Sequence, residues 1–147
     1  MGKTQADTEI IELAISKEVA AYRLYKKMAG RAGSSQMKQV IDSLANEELE
    51  HKARLELELM KLGVVVWSEK TMLSEHLEDA EVPVDAMDFK DLLVLAMEKE
   101  RSSLRLYIGL AAMTKNKASR EMLTTLAEEE AMHEARFEVE YNILMRK

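Results

Sequence analysis

Two copies of one short pattern decide the fold: Leu44-Ala45-Asn46-Glu47-Glu48-Leu49-Glu50-His51 and Leu126-Ala127-Glu128-Glu129-Glu130-Ala131-Met132-His133. Each copy contains Glu-x-x-His, as Glu48 with His51 and as Glu130 with His133. Residues three apart lie on one face of an α-helix, about 5–6 Å apart between their Cβ atoms. A carboxylate and an imidazole in this arrangement can bind one metal ion. The pattern therefore predicts two helices that each contribute a pair of metal ligands.

The two copies belong to an internal repeat of the chain. An offset of 82 residues maps Glu18 onto Glu100 and His51 onto His133 (100 − 18 and 133 − 51). The segments that match at this offset are Lys17-Glu18 with Lys99-Glu100, Arg23-Leu24-Tyr25 with Arg105-Leu106-Tyr107, and Ala53-Arg54 with Ala135-Arg136. Each half predicts one helical hairpin. Two such hairpins around a pseudo-two-fold axis make a four-helix bundle.

Apolar residues at steps of three and four predict the four helices of this bundle. We expect them near residues 6–30, 35–62, 86–113 and 117–146. Suitable N-terminal capping residues precede three of them, namely Ser34 or Ser35, Asp85 or Asp88, and Asn116. The predicted fold class is therefore all-α.

A long crossover separates the hairpins. We predict one domain over residues 1–147, with the hairpins at 1–62 and 86–147 and the crossover at 63–85. Within the crossover, Val64-Val65-Val66-Trp67 is expected to run extended, and residues 70–79 to form a short helix. A connection of this length can traverse the bundle, so the second and third helices need not be antiparallel neighbours.

Composition excludes several classes of protein. The 147 residues are 47% hydrophobic with one Pro, which favours long helices, and the net charge of −6 argues against nucleic acid or an anionic membrane as partner. The absence of cysteine excludes disulfides, cysteine-ligated clusters and thiol chemistry. No apolar run approaches the about 20 residues that span a membrane. We expect a cytoplasmic protein.

Six ionisable side chains interrupt the otherwise apolar faces of the helices: Glu18, Glu48, His51, Glu100, Glu130 and His133. An unpaired buried charge costs several kcal/mol, and carboxylates that face one another also repel. Two divalent cations remove both penalties, so the six residues are predicted to be metal ligands. The alternative is a neutral, protonated polar layer that holds no metal.

The remaining acidic residues and histidine are expected to lie outside this site. Glu47, Glu50, Glu128 and Glu129 are off the apolar faces and are predicted to face solvent, and Glu98 to point elsewhere than Glu100. His76 lies in the crossover without a partner at ligand spacing and is predicted to be a surface residue.

Two tyrosines follow predicted ligands by two helical turns. Tyr25 comes seven residues after Glu18, and Tyr107 seven residues after Glu100. Because helical side chains lean toward the N-terminus, each hydroxyl can reach a ligand carboxylate and support it by a hydrogen bond. Ordinary packing in the core is the alternative for both. Trp67 and the eleven methionines are interpreted as core or interface residues.

The ordered set of six ligand positions resembles the rubrerythrin-type branch of the ferritin-like superfamily, and its symmetry is similar to that of bacterioferritin. The resemblance covers both hairpins. It implies a ferritin-like bundle in which Glu48 and Glu130 bridge two metals. Glu18 with His51 would complete one metal site, and Glu100 with His133 the other. It also implies two iron ions per chain, with manganese or zinc as chemically suitable substitutes.

The activity implied by the resemblance is oxidation of Fe(II) with O2 or reduction of hydrogen peroxide. Rubrerythrins usually carry a rubredoxin domain with four cysteines, so we expect a separate electron-donor protein, such as a rubredoxin. Many also have a further Glu one turn after the third-helix ligand, where this chain has Ser103. We expect a homodimer rather than a cage. The alternatives are iron sequestration or delivery with slow ferroxidase activity, and a structural bundle stabilised by metal.

Overall fold

The computed structural model describes residues 2–66 and 84–146. Their four α-helices are α1 (Gly2–Gly30), α2 (Ser35–Lys61), α3 (Phe89–Met113) and α4 (Lys117–Met145), with a short 3₁₀ turn at Val84–Ala86. The structure confirms the predicted all-α fold, a ferritin-like four-helix bundle. The predictions for Trp67, His76 and a helix at 70–79 lie outside the described residues.

Local chemistry sets the ends of the helices. The Oγ of Ser34 accepts a hydrogen bond from the Met37 amide at 3.1 Å, which caps α2. Asp88 caps α3 in the same way, while Asp85 belongs to the preceding 3₁₀ turn. Asn116 caps α4. After α2, Gly63 takes a φ of 86°, a left-handed conformation that glycine adopts without steric cost. Helix α1 begins at Gly2, earlier than the predicted start near residue 6.

The two hairpins pack side by side. Helix α1 packs along α2 and α3 along α4, and further contacts join α1 to α3 and α2 to α4. The four helices therefore occupy the corners of a square in the order α1–α2–α4–α3. Tyr25 contacts Glu100 while Tyr107 contacts Glu18, which requires α1 and α3 to run antiparallel.

The apolar core is divided into two clusters along the bundle. The first cluster includes Tyr25, Met28, Ile41, Leu93 and Phe137. The second includes Ile15, Leu55, Tyr107, Leu110 and Leu123. On α2, α3 and α4 the predicted ligand positions fall between the residues of these two clusters, and on α1 Glu18 lies where the second cluster gives way to the first. A polar layer thus lies at the middle of the bundle with apolar packing on both sides.

No helix among residues 2–66 and 84–146 combines the length and apolarity needed to cross a membrane.

Candidate metal centre

The four helices bring the six predicted ligands together in this central layer. Helix α1 supplies Glu18, α2 supplies Glu48 and His51, α3 supplies Glu100, and α4 supplies Glu130 and His133. All six are buried, and the most exposed of them, His133, shows only 3% of its surface. The phase of the apolar faces explains this placement, because each ligand replaces one apolar residue in a helical stripe.

The ligands form two overlapping groups. The first contains Glu18, Glu48, His51 and Glu130, and the second contains Glu48, Glu100, Glu130 and His133. Within each group, one ligand atom from every residue lies within 4.8 Å of the others. Glu48 and Glu130 belong to both groups, whereas the other residues belong to one. This sharing is the geometry expected of two adjacent cation sites with two bridging carboxylates.

The two histidines are related by the internal repeat. Their rings stack nearly parallel, with centroids 5.7 Å apart and an interplanar angle of 5°. The Nδ1 of His51 lies 2.9 Å from Glu130 Oε1, and the Nδ1 of His133 lies 3.0 Å from Glu48 Oε1. Each Nδ1 therefore faces the shared carboxylate of the other hairpin. These are ion-pair distances that lack the alignment of hydrogen bonds.

Many polar atoms of this layer have no hydrogen-bond partner. The buried atoms without one are Glu18 Oε2, Glu100 Oε2, both carboxylate oxygens of Glu48 and Glu130, and both ring nitrogens of His51 and His133. A buried donor or acceptor left unsatisfied costs about 1–3 kcal/mol, and more when charged. Oxygen and nitrogen donors that converge without partners fit divalent cations, which would satisfy them together.

Burial and mutual repulsion set the protonation of the metal-free layer. Burial raises the pKa of Glu48 and Glu100 well above the usual range, and the neighbouring carboxylates raise it further. The pKa of Glu18 is raised for the same reasons. Without cations, this layer therefore retains protons on several carboxyl groups.

His51 and Glu130 form the charged part of the layer. Burial lowers the pKa of the His51 imidazole, but close contact with Glu130 and Glu18 outweighs it and raises the pKa to about 10. Burial alone would raise the pKa of Glu130, yet the approach of His51 lowers it overall. The metal-free centre thus combines an imidazolium–carboxylate pair with neutral carboxyls, and a metal ion must displace these protons to bind.

The two tyrosines reach across the bundle. The hydroxyl of Tyr25 on α1 donates to Glu100 Oε1 on α3, and the hydroxyl of Tyr107 on α3 donates to Glu18 Oε1 on α1. Burial raises the pKa of both phenols well above 10.0, so each remains a donor. The second oxygen of each carboxylate, Oε2, points into the layer without a partner. One oxygen is held by tyrosine and the other is left for a metal.

The tyrosines also pack in the core. Tyr25 belongs to the first apolar cluster, where its ring lies 4.9 Å from that of Phe137, and Tyr107 belongs to the second. The two roles considered from the sequence, support of a carboxylate and packing, therefore coexist in each residue.

The prediction that Glu47 and Glu129 face solvent is only partly right, because both side chains also approach the histidines. Their side chains are 44% and 27% exposed, and their carboxylates lie 3.5 Å from His133 Nε2 and 3.6 Å from His51 Nε2. Because Nδ1 of each histidine faces the layer, Nε2 points outward toward the adjacent helix. Arg54 Nη1 holds Glu129 at 2.6 Å. At these distances the two carboxylates place negative charge beside the outer nitrogens without forming hydrogen bonds to them.

One sequence signal could have found these two residues. The repeat offset maps Glu47 onto Glu129 (129 − 47 = 82), and each directly precedes a shared ligand. The other acidic residues named with them, Glu50 and Glu128, are exposed, as is Glu98. Because Glu47 and Glu129 occupy equivalent positions in the two halves of the chain, the repeat distinguishes this half-buried pair from most of the acidic residues around the site.

Comparison with known proteins agrees with this architecture. A family model described as Rubrerythrin matches residues 9–141, and the chain belongs to that family. A solved structure titled "Hypothetical Protein Pfu-1136390-001 From Pyrococcus furiosus" is similar over 95% of this chain and 90% of its own, with 23% identity and a TM-score of 0.75. It shows the same fold. The search of curated proteins returned no match.

Proposed function

We propose that the chain is a di-iron redox protein that reduces hydrogen peroxide or oxidises Fe(II) with O2. The observation that carries this proposal is the pair of overlapping carboxylate–histidine groups that share Glu48 and Glu130. Carboxylate and imidazole donors suit iron, manganese and zinc alike. Membership of the Rubrerythrin family supports iron as the metal.

The residues divide into shared and single-site ligands. Glu48 and Glu130 would hold both ions, Glu18 and His51 would complete one site, and Glu100 and His133 the other. This set supplies few ligands per ion and leaves room for a small oxidant.

The protein's part in the chemistry is positioning and exclusion of water. When bound, two Fe(II) ions supply the two electrons that, with two protons, convert hydrogen peroxide to water. Tyr25 and Tyr107 orient the terminal carboxylates by hydrogen bonds, while Glu47 and Glu129 place negative charge beside the outer nitrogens of the histidines. The apolar clusters on both sides keep bulk water away, which strengthens the electrostatic interactions within the layer.

Metal analysis followed by turnover tests this function. The protein is loaded anaerobically with Fe(II) and supplied with peroxide and a reductant, such as a reduced rubredoxin as the separate donor. Sustained peroxide consumption supports the proposal. Iron held as mineral beyond two ions per chain would instead indicate an iron-storage function. Bound metal without any turnover would indicate that the metal has a structural role.

The reduced protein is expected to react faster with hydrogen peroxide than with O2. Peroxide needs two electrons to reach water, the number that one Fe(II) pair provides, whereas O2 needs four. Stopped-flow mixing of the anaerobic iron-loaded protein with each oxidant at equal concentration measures the two rates, with metal-free protein as the control. A faster reaction with O2 would favour ferroxidase activity.

Removing one tyrosine hydroxyl is expected to weaken one metal site selectively. Tyr25→Phe removes the donor to Glu100, and Tyr107→Phe removes the donor to Glu18. Loss of such an outer partner typically lowers metal affinity about 10–100-fold. Metal titration by calorimetry should show one weakened phase in each variant. The half-buried Tyr141, which packs against the first cluster, provides the Tyr141→Phe control, and identical titrations in all three variants would contradict the prediction.

We also propose that the protein is a homodimer. The side chain of Val65, which follows α2, is 74% exposed, while its neighbours Val64 and Val66 pack against the second cluster. The homodimer proposal places Val65 in the contact between the two copies of the chain. Multi-angle light scattering should give twice the mass of the 16.8 kDa chain, and a shell of many subunits would refute the proposal.

A further inference from the structure

A groove of about 190 Å³ lies between α1 and α3. Lys17 and Ala20 line it from α1, and Lys99, Ser102 and Ser103 from α3, together with Leu95 and Glu98. One water molecule needs about 10–15 Å³ on the same measure. The groove is therefore large enough for molecules of the size of hydrogen peroxide.

The groove extends from exposed residues at the surface to buried residues on the helical turns that carry Glu18 and Glu100. Ser102 at its mouth is exposed, whereas Ser103 and Ala20 are each only 3% exposed. Ser103 lies one helical turn after Glu100 on the same face, and Lys17 directly precedes Glu18. The buried end of the groove is thus lined by close neighbours of Glu18 and Glu100 along α1 and α3, and each of these two ligands belongs to only one ligand group.

Side chains of the described residues cover the centre on the α2–α4 side and along the bundle axis. On the opposite side, between α2 and α4, the histidine rings are covered by Glu47 and Glu129, and Arg54 binds Glu129. Along the bundle axis, the two apolar clusters close the layer above and below. Among the described residues, the α1–α3 side has a cavity lined by residues adjacent to the ligands.

Two lysines flank the groove symmetrically. Lys17 and Lys99 are equivalent in the repeat, and the Nζ of Lys17 lies 3.3 Å from Ser102 Oγ at the mouth. Glu98 is the acidic residue in the lining, so the lysines leave a net positive charge there. A positively charged groove raises the local concentration and the association rate of small anions.

We propose that this groove is the route by which small molecules, including the oxidant, reach the metal centre, and that Lys17 and Lys99 raise the rate at which small anions enter it. Ser103 forms the inner end and keeps it open because its side chain is small. The inference rests on the proposed metal-binding function and adds a specific path and selectivity to it.

Azide binding to the oxidised, iron-loaded protein tests the route without turnover. Azide is an anion of about the size of peroxide, and its charge-transfer absorbance reports binding in stopped-flow. Ser102→Trp places a large side chain at the exposed mouth, where folding is not at risk. We expect azide association and dissociation rates to fall about tenfold together, with an unchanged Kd, because a route alters rates and not the end states. Thr124→Trp on the exposed side of α4 is the control.

Two further variants probe the inner end and the charge. Ser103→Leu should slow azide binding in the same way, whereas Ala118→Leu, in a cavity of similar size at the end of the bundle, should not.

The double variant Lys17→Gln/Lys99→Gln should lower the azide association rate about tenfold at low salt and less at high salt. The control is the double variant Lys90→Gln/Lys115→Gln, which changes the net charge by the same amount at exposed positions.

The outcomes separate this inference from the proposed function. Iron-loaded Ser102→Trp and Ser103→Leu proteins with the azide rates of the wild type would overturn the groove as a route. A changed Kd with unchanged rates of association would likewise overturn it. Failure of the wild-type chain to bind iron, measured by elemental analysis, would instead overturn the metal-binding function itself.

Discussion

Glu48→Ala is expected to abolish binding of both metal ions, whereas Glu18→Ala should weaken only one of them. Glu48 belongs to both ligand groups, and both of its oxygens are buried without partners. Removal of a bridging carboxylate takes a ligand from each ion and leaves their charges unscreened from each other. Glu18 belongs to one group only. Metal content should therefore fall from about two ions per chain to about none in Glu48→Ala, and to about one in Glu18→Ala.

The control for this experiment must avoid the carboxylates beside the histidines. Glu47 lies 3.5 Å from His133 Nε2, so its removal would disturb a ligand. Glu50, exposed on the same helix, is the matched position, and Glu50→Ala should keep full metal content. Thermal unfolding of the metal-free variants separates loss of a ligand from loss of the fold. Equal metal content in Glu48→Ala and Glu50→Ala would show that the proposed register of α2 is wrong.

Much of the architecture follows from the sequence because periodicity and the repeat constrain it. Carboxylates in apolar stripes, such as Glu18 and Glu100, must face the interior if the helices are to bury those stripes. The 82-residue offset requires both hairpins to present the same groups. The sequence alone was therefore enough to predict the fold class and the position of the six residues in one layer.

Two features depended on the pairing of helices, which periodicity does not specify. Tyr25 bonds to Glu100 rather than to the carboxylate of its own helix because α1 and α3 run antiparallel across the layer. Glu129 lies at the edge of the apolar face of α4, and only the approach of α2 brings His51 to it. Residues at the margin of a helical stripe are exposed or half-buried according to their neighbours. The groove beside Ser103 likewise arises only where two helices meet.

Metal is expected to stabilise the fold, and the stabilisation should grow with pH. A ligand that binds only the native state adds RT ln(1 + [L]/Kd), about 2.7 kcal/mol at a hundredfold excess over Kd. For a chain of this length, that corresponds to a rise in Tm of roughly 5–10 °C. The metal-free layer holds protons on Glu48 and Glu100 that a cation must displace, so affinity rises as protons become scarce.

The metal-free protein should respond to pH in the opposite direction. The pKa values of Glu48 and Glu100 are raised in the folded state above the ordinary 4.5, so the native state binds more protons than the unfolded chain once the pH exceeds that value. The pKa of His51, raised from 6.5 to about 10, extends this difference to alkaline pH. Stability of the metal-free protein therefore falls as the pH rises through this window. The lowered pKa of Glu130 acts in the opposite sense, but below pH 4.5.

Thermal unfolding with and without Mn(II) or Zn(II), at about pH 5.5 and about pH 7.5, measures both effects. We expect the metal-free Tm to be lower at the higher pH and the metal-induced increase to be larger there. Glu48→Ala should lose the metal-induced increase, since it lacks a ligand shared by both sites. It should also weaken the pH dependence of the metal-free form, because one buried carboxyl with a raised pKa is gone. An unchanged Tm with every metal at both pH values would identify the layer as a protonated polar core that binds no cation.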